Sequence, residues 1–173
     1  MKPGADNSEQ FILPNFQNPF WRDHNNIQGY GRLLWWVSNK IACTRRKDIE
    51  HPDIELLWFA LALSMKELYL CTVYRPPNRN LDFGDALQEN IELFQQQCDG
   101  KILLIGEFNA DPITVNGTYL TNFCNVNRLL KHIDQATRIT AKSSTILDQC
   151  QKNLPVLIKK VENLPAIYCC DIL

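Results

Sequence analysis

KILLIGEFNADP, Lys101–Pro112, is the stretch that decides the fold. Ile102, Leu103, Leu104 and Ile105 form an unbroken apolar run behind Gly100, and such a run fits a strand covered on both faces. The run ends in an acid and an amide, Glu107 and Asn109, followed by Asp111 and Pro112. Residues two apart on an extended chain share a face. Glu107 and Asn109 are therefore expected side by side at the strand's end, with Phe108 turned to the opposite face to pack. A rigid sheet holds polar side chains near solvent at such ends, where reactive groups and ligands gather.

Outward from this strand, the neighbouring runs are also strand-like. ELLWFALALS (55–64) and ELYLCTVY (67–74) read as a hairpin joined at Met65–Lys66, and GRLLWWVSN (31–39) reads as a further strand. RPPNRN (75–80) must be loop, because two prolines cannot sit within a ladder. DALQENIELFQQQ (85–97) puts Leu87, Ile91 and Phe94 on one helical face, with Asp82 or Asp85 as cap. Residues 116–133 contain a second helix, with Leu120, Phe123, Leu129 and Leu130 as its core stripe. Residues 137–150 read as loop then strand, and 156–161 as one more strand; 1–28 read as loop with one short strand. Strands and helices alternate only in part, which predicts a layered α/β domain with mixed sheets.

Composition sets the outer bounds. The chain has 173 residues, 45% hydrophobic and 21% charged, which suits one domain with a packed core. A net charge of -1 gives no overall basic field for tight nonspecific DNA binding, although Arg45-Arg46-Lys47 is a local basic run whose ordinary reading is a solvated strand end or turn. Seven cysteines lie at 43, 71, 98, 124, 150, 169 and 170, with no C-x-x-C pair to suggest a zinc ribbon. Several sit in apolar runs, so reduced, buried thiols are expected. The polar start MKPGADNSEQ carries no signal core, and no apolar run approaches the ~20 residues that span a bilayer. An intracellular protein of cytoplasm or nucleus, with no membrane partner, is expected.

Polar residues recur at strand ends: Tyr74 after LYLCTV, Glu107 and Asn109 after KILLIG, Asp148 after STIL, and Asp171 after AIYCC. Singly, each has a bland alternative: Tyr74 as an edge-of-core aromatic, Asn109 with Asp111 as turn chemistry, Asp148 as a capping acid. His24, His51 and His132 read as surface or loop residues.

TVYRPPN, KILLIGEFNADP, ATRIT…SSTILDQ and CCDIL stand in the order found in the endonuclease/exonuclease/phosphatase family. The chain most resembles the endonuclease domain of LINE-type (non-LTR) retrotransposons, as does RDHNNIQGYGRLLWWVSN. The resemblance covers nearly the whole chain. It implies a four-layer sandwich, α/β (α+β), of two mixed β-sheets flanked by helices. It also implies metal-dependent phosphodiester hydrolysis of the DNA-nicking kind, with Mg²⁺ or Mn²⁺ as cofactor, no organic cofactor, and DNA as partner.

Carried over by motif, Tyr74 matches the family's phosphate-contacting Tyr, and Asn78 a substrate-binding Asn in the loop beyond it. Glu107 stands where the family has its water-activating Asp, and Asn109 matches the Asn beside it. Asp148 matches the Asp that orients a catalytic His, and Asp171 the Asp of a Ser-Asp-His ending. Glu107 and Asp171 are the implied metal ligands. Two residues depart from the pattern: Glu107 adds a methylene, and Ile172 stands in place of the His. The resemblance also places Met1–Gly4 just after the family's Glu-Thr-Trp motif, and Leu173 at or before its last core strand. A single, incomplete domain over 1–173 is therefore expected, lacking N-terminal and final strands and leaving Trp35 and Trp36 partly exposed. Impaired catalysis follows, with a non-catalytic retroelement-derived fragment or binding protein as the alternative. A nucleotide or phosphoinositide substrate is a third reading.

Overall fold

The computed structural model describes residues 12–23, 32–63, 66–77, 82–110, 114–133, 136–139, 144–146 and 148–153. Ten strands are described: β1 (Phe20–Asp23), β2 (Arg32–Trp35), β3 (Ala42–Arg45), β4 (Glu55–Leu63), β5 (Lys66–Tyr74), β6 (Lys101–Glu107), β7 (Leu130–Lys131), β8 (Arg138–Ile139), β9 (Ser144–Thr145) and β10 (Asp148–Lys152). Two helices, α1 (Asp82–Gln97) and α2 (Val115–Val126), join them. Six strands form one mixed sheet in the order β3-β4-β5-β6-β10-β7, while β1–β2 and β8–β9 are separate pairs. The expected hairpin is the antiparallel β4–β5 pair, and β5–β6 is parallel, with α1 as the crossover.

Period-2 alternation sorts the sheet's side chains onto two faces. Leu56 and Trp58 of β4, Cys71 and Val73 of β5, and Ile102 and Leu104 of β6 pack with Leu87, Ile91 and Phe94 of α1 and Leu120 and Phe123 of α2. Leu57, Phe59, Leu70, Leu103 and Ile105 pack on the other face with Phe20, Leu33 and Trp35 from the β1–β2 ribbon. The central strand is thus covered on both faces, as its continuous apolar run predicts. Helices, mixed sheet and ribbon stack as an α/β sandwich. The strand expected at 156–161 lies outside the described residues.

Some local expectations need correction. α1 begins at Asp82, because Phe83 extends its buried stripe by one turn, so Asp85 lies inside the helix and accepts the Tyr119 hydroxyl at 2.9 Å. α2 is capped by Thr114, whose hydroxyl accepts the Gly117 N–H, and it ends at Val126. Leu129 is buried, but Leu130 belongs to β7 and is 57% exposed, so it is not part of the core. Leu130 and Lys131, the two residues of β7, are both exposed, and Leu129 just before the strand is the last buried residue of the stripe. Cys71, Cys98 and Cys124 are buried free thiols, and Cys43 is half-buried. Trp35 and Trp36 are both half-buried. Among the described residues no helix is long and apolar enough to cross a membrane.

One polar residue ties α1 into the core. Asn90 is 1% exposed; its Oδ1 accepts the Trp58 indole N–H at 2.8 Å, and its Nδ2 donates to the Ile49 carbonyl. Trp58 itself stacks on Phe94 at 4.8 Å. Asn90→Ala strands a donor and an acceptor in the interior and is expected to cost about 3 kcal/mol. A thermal melt should show the midpoint falling by roughly 6–12 °C.

Candidate functional site

Register across the sheet assembles the site. On the ribbon-facing side, Phe59, Leu70 and Leu103 are successive partners, and the next row is Leu57, Thr72 and Ile105. One step further, at the sheet's end, the row becomes polar: Glu55 pairs with Tyr74, Tyr74 with Glu107, and Glu107 with Asp148. Four neighbouring strands thus each bring one polar residue to a single line about 14 Å long, at ~4.8 Å per strand. β5 and β6 reach the line with their C-terminal ends, the end at which a parallel pair presents ligands.

Tyr74, Glu107 and Asp148 are therefore brought together, Asp148 by its backbone register with Glu107. Burial, with the carboxylates of Glu107 and Glu55 nearby, pushes the Tyr74 phenol above its ordinary pKa. The hydroxyl accordingly stays a hydrogen-bond donor, the form suited to an anionic oxygen.

Asn109 is held beside this row by an interlock. Its backbone turns to φ 45°, a left-handed conformation that Asn tolerates better than most residues. Its Nδ2 donates to the Arg75 carbonyl at 2.7 Å. Arg75 in turn donates its backbone N–H to the Glu107 carbonyl at 2.8 Å, and its Nη1 to the carbonyls of Phe108 (3.3 Å) and Asn109 (3.1 Å). Arg75 is 5% exposed, and its guanidinium lies over the Phe83 ring at 5.7 Å. A buried, charged fork thus fixes the turn that follows Glu107, and tying one side of the Asn109 amide leaves its oxygen available to a ligand.

Gly106 permits the approach of β6 to β5. Its φ is +147°, and a Cβ there would lie 1.8 Å from the Val73 carbonyl oxygen. Only glycine fits this position.

Sequence reasoning missed two members. Glu55 is 4% exposed, with both carboxylate oxygens sealed from solvent, directly across from Tyr74. Its signal was an acid heading an apolar strand that enters the sheet where its neighbour leaves. Arg75 was hidden in a proline-rich loop. Asn78 and Asp171 lie outside the described residues, so the expected Glu107–Asp171 metal pair is placed only at Glu107. Among the described residues no group of three or more His, Cys, Asp or Glu side chains converges closely enough to hold a metal ion. Those residues alone do not make a metal cage.

Solved structures share this architecture. The endonuclease domain of TRAS1, a telomere-specific non-LTR retrotransposon, aligns with TM-score 0.61 and 11% identity over 79% of this chain and 65% of that one. An endonuclease/exonuclease/phosphatase family protein from Leptotrichia buccalis aligns with TM-score 0.58 and 16% identity, covering 84% of this chain and 62% of that one. A mannosyl-6-phosphatase from Bacteroides thetaiotaomicron aligns with TM-score 0.56 and 10% identity, covering 81% and 63%. The chain spans just under two thirds of the length of each. No protein-family model matches the sequence, and no curated protein matches it. At these identities the likeness concerns the fold, which is the one the sequence motifs imply.

Proposed function

We propose that the polar row is the phosphodiester site of a metal-dependent, DNA-nicking hydrolase, and that its catalysis is attenuated in this chain. The observation that supports it is the single register line Tyr74–Glu107–Asp148, with Asn109 locked beside it. Tyr74, kept protonated, donates to a non-bridging phosphate oxygen. Glu107 and the Asn109 amide orient and activate the attacking water. Attenuation is inferred from Glu107, whose carboxylate stands a methylene further out than the implied Asp, and from Ile172, which offers no donor where the resemblance expects His. The site takes part in DNA chemistry in this reading because the fold is shared with a retrotransposon endonuclease domain and the motifs resemble that group.

A divalent cation, Mg²⁺ or Mn²⁺, is the cofactor this reading implies, with the Glu107 carboxylate as one oxygen donor. Weak binding is expected; tight, stoichiometric Mg²⁺ binding in a calorimetric titration would contradict it. Purified protein is expected to give little or no Mg²⁺-dependent nicking of supercoiled plasmid. Robust nicking, lost in Glu107→Ala and Asn109→Ala, would show the site to be fully competent and overturn the attenuation. Ile172 also favours a second reading, a non-catalytic piece that retains nucleic-acid contacts. Plasmid binding with no nicking under any metal would select it.

A further inference from the structure

We propose that the groove beside β1 and β3 binds a single strand of nucleic acid, with a base stacked on Trp21 and phosphates against Arg45 and Lys47. The groove has a volume of about 580 Å³ and is lined by Pro19, Phe20, Trp21, Arg22, Arg45, Lys47 and Glu50. Three of these are cations and one is a carboxylate, on a chain whose net charge is -1. The lining therefore carries a local excess of two positive charges.

Glu50 offsets one of the three cations, and its carboxylate is shared between two of them. It accepts Arg45 Nε at 2.9 Å and Nη2 at 2.8 Å, and the Trp58 N–H at 3.3 Å, with Arg22 Nη1 at 3.5 Å. The same network holds Arg45, whose Nη1 also donates to the Trp21 carbonyl at 3.1 Å. A guanidinium held in place in this way loses little freedom on meeting a phosphate. Lys47 is exposed beside it.

The strand that carries the aromatic wall is also anchored. Phe20 turns inward and meets Phe59 edge-on at 5.0 Å. Its neighbour Trp21, on the opposite face of the strand, is 41% exposed. An exposed indole beside excess cations is the combination used to bind unstacked bases, and a base within a duplex cannot offer its face to it.

The groove is also reachable from the polar row. Arg22 donates to the carbonyl of Leu56, the residue after Glu55. Arg45 pairs with Phe59, four residues along β4 from Glu55. That is about 13 Å of strand. A strand leaving the row therefore meets the groove within a few nucleotides. Binding there does not require the row to be catalytic.

The test is a fluorescence-anisotropy titration of the full chain with a labelled oligothymidine of about 12 nucleotides, in EDTA so that hydrolysis plays no part, at several salt concentrations. Trp21→Ala is expected to weaken binding on the order of 10-fold. Lys47→Ala should weaken it several-fold and reduce the slope of log K against log salt by about 0.7. Lys131→Ala, at the far edge of the sheet, should change neither. Trp21 and Lys47 are exposed, so unchanged melting temperatures will separate lost contacts from lost fold. The proposal is overturned if the oligonucleotide does not bind, or if binding is indifferent to Trp21 and Lys47 and depends only on Tyr74 and Glu107. Equal affinity for a duplex, without a Trp21 effect, overturns it as well.

Discussion

Gly106→Ala is expected to destabilise the protein by about 4 kcal/mol or more, through backbone strain and a broken ladder together. A Cβ on Gly106 would lie 1.8 Å from the Val73 oxygen, 2.8 Å from its carbonyl carbon and 2.9 Å from its nitrogen. Real Cβ contacts stop near 3.0 Å, so β6 would have to move by more than 1 Å against backbone that cannot swing aside. The φ of +147° would add the strain of an unfavoured conformation. Gly84→Ala is the informative comparison. Its Cβ also meets an atom at 2.0 Å, but that atom belongs to the Tyr119 ring, which is a half-buried side chain able to rotate. A cost of about 1–2 kcal/mol is expected there. Urea denaturation of both variants checks the contrast; equal midpoints for the two would remove the role assigned to the β5–β6 approach. Gly106 is adjacent to Glu107, and the displaced strand carries the Glu107 carbonyl away from the Arg75 N–H. Site and fold should therefore fail together.

The legible parts of the fold are those where one physical signal dominates. The continuous run at 102–105 announced a strand buried on both faces, and the stripe Leu87, Ile91, Phe94 announced α1, because burial leaves a period in the sequence. Leu130 fits a helical period in sequence, but the helix stops at Val126 and the chain turns through Arg128 at φ 54° into a short strand. The site was legible in halves. Residues that end parallel strands, Tyr74 and Glu107, could be named from strand ends alone. Glu55 could not, because a strand running the other way brings its first residue to that line, and only the pairing shows it. Arg75 escaped for a different reason. Its partners are the carbonyls of Phe108 and Asn109, more than thirty residues away, and backbone acceptors carry no sequence signature. The basic run at 45–47 stands out in the sequence, but as a solvated strand end or turn it carries no local signal of Trp21, which only the placement of β1 brings beside it.

Glu107→Asp combined with Ile172→His is expected to raise Mg²⁺-dependent nicking of supercoiled plasmid by at least about 100-fold. The first change acts through distance. β6 and the Arg75 interlock fix the backbone on both sides of residue 107, so a shorter side chain withdraws the carboxylate instead of letting the strand compensate. A misplacement of ~1 Å in a reacting group can cost on the order of 100-fold. The second change restores a donor for the charge that develops on phosphate, and loss of one such donor commonly costs roughly 100- to 1000-fold. The two should not multiply, because a water poorly aligned by Glu107 gains little from a stabilised phosphate until it is realigned. Each single variant should accordingly stay near the starting rate, and the pair should rise well above the product of the two. Glu107→Asp also tests the site by another route. The phenol of Tyr74 is raised by burial and by the carboxylates of Glu107 and Glu55, so withdrawing one carboxylate should lower its titration midpoint in an ultraviolet absorbance scan. A midpoint that moves without a gain in nicking would keep Glu107 beside Tyr74 and assign the lost activity elsewhere. A midpoint that does not move would separate the two residues and remove the row as the site.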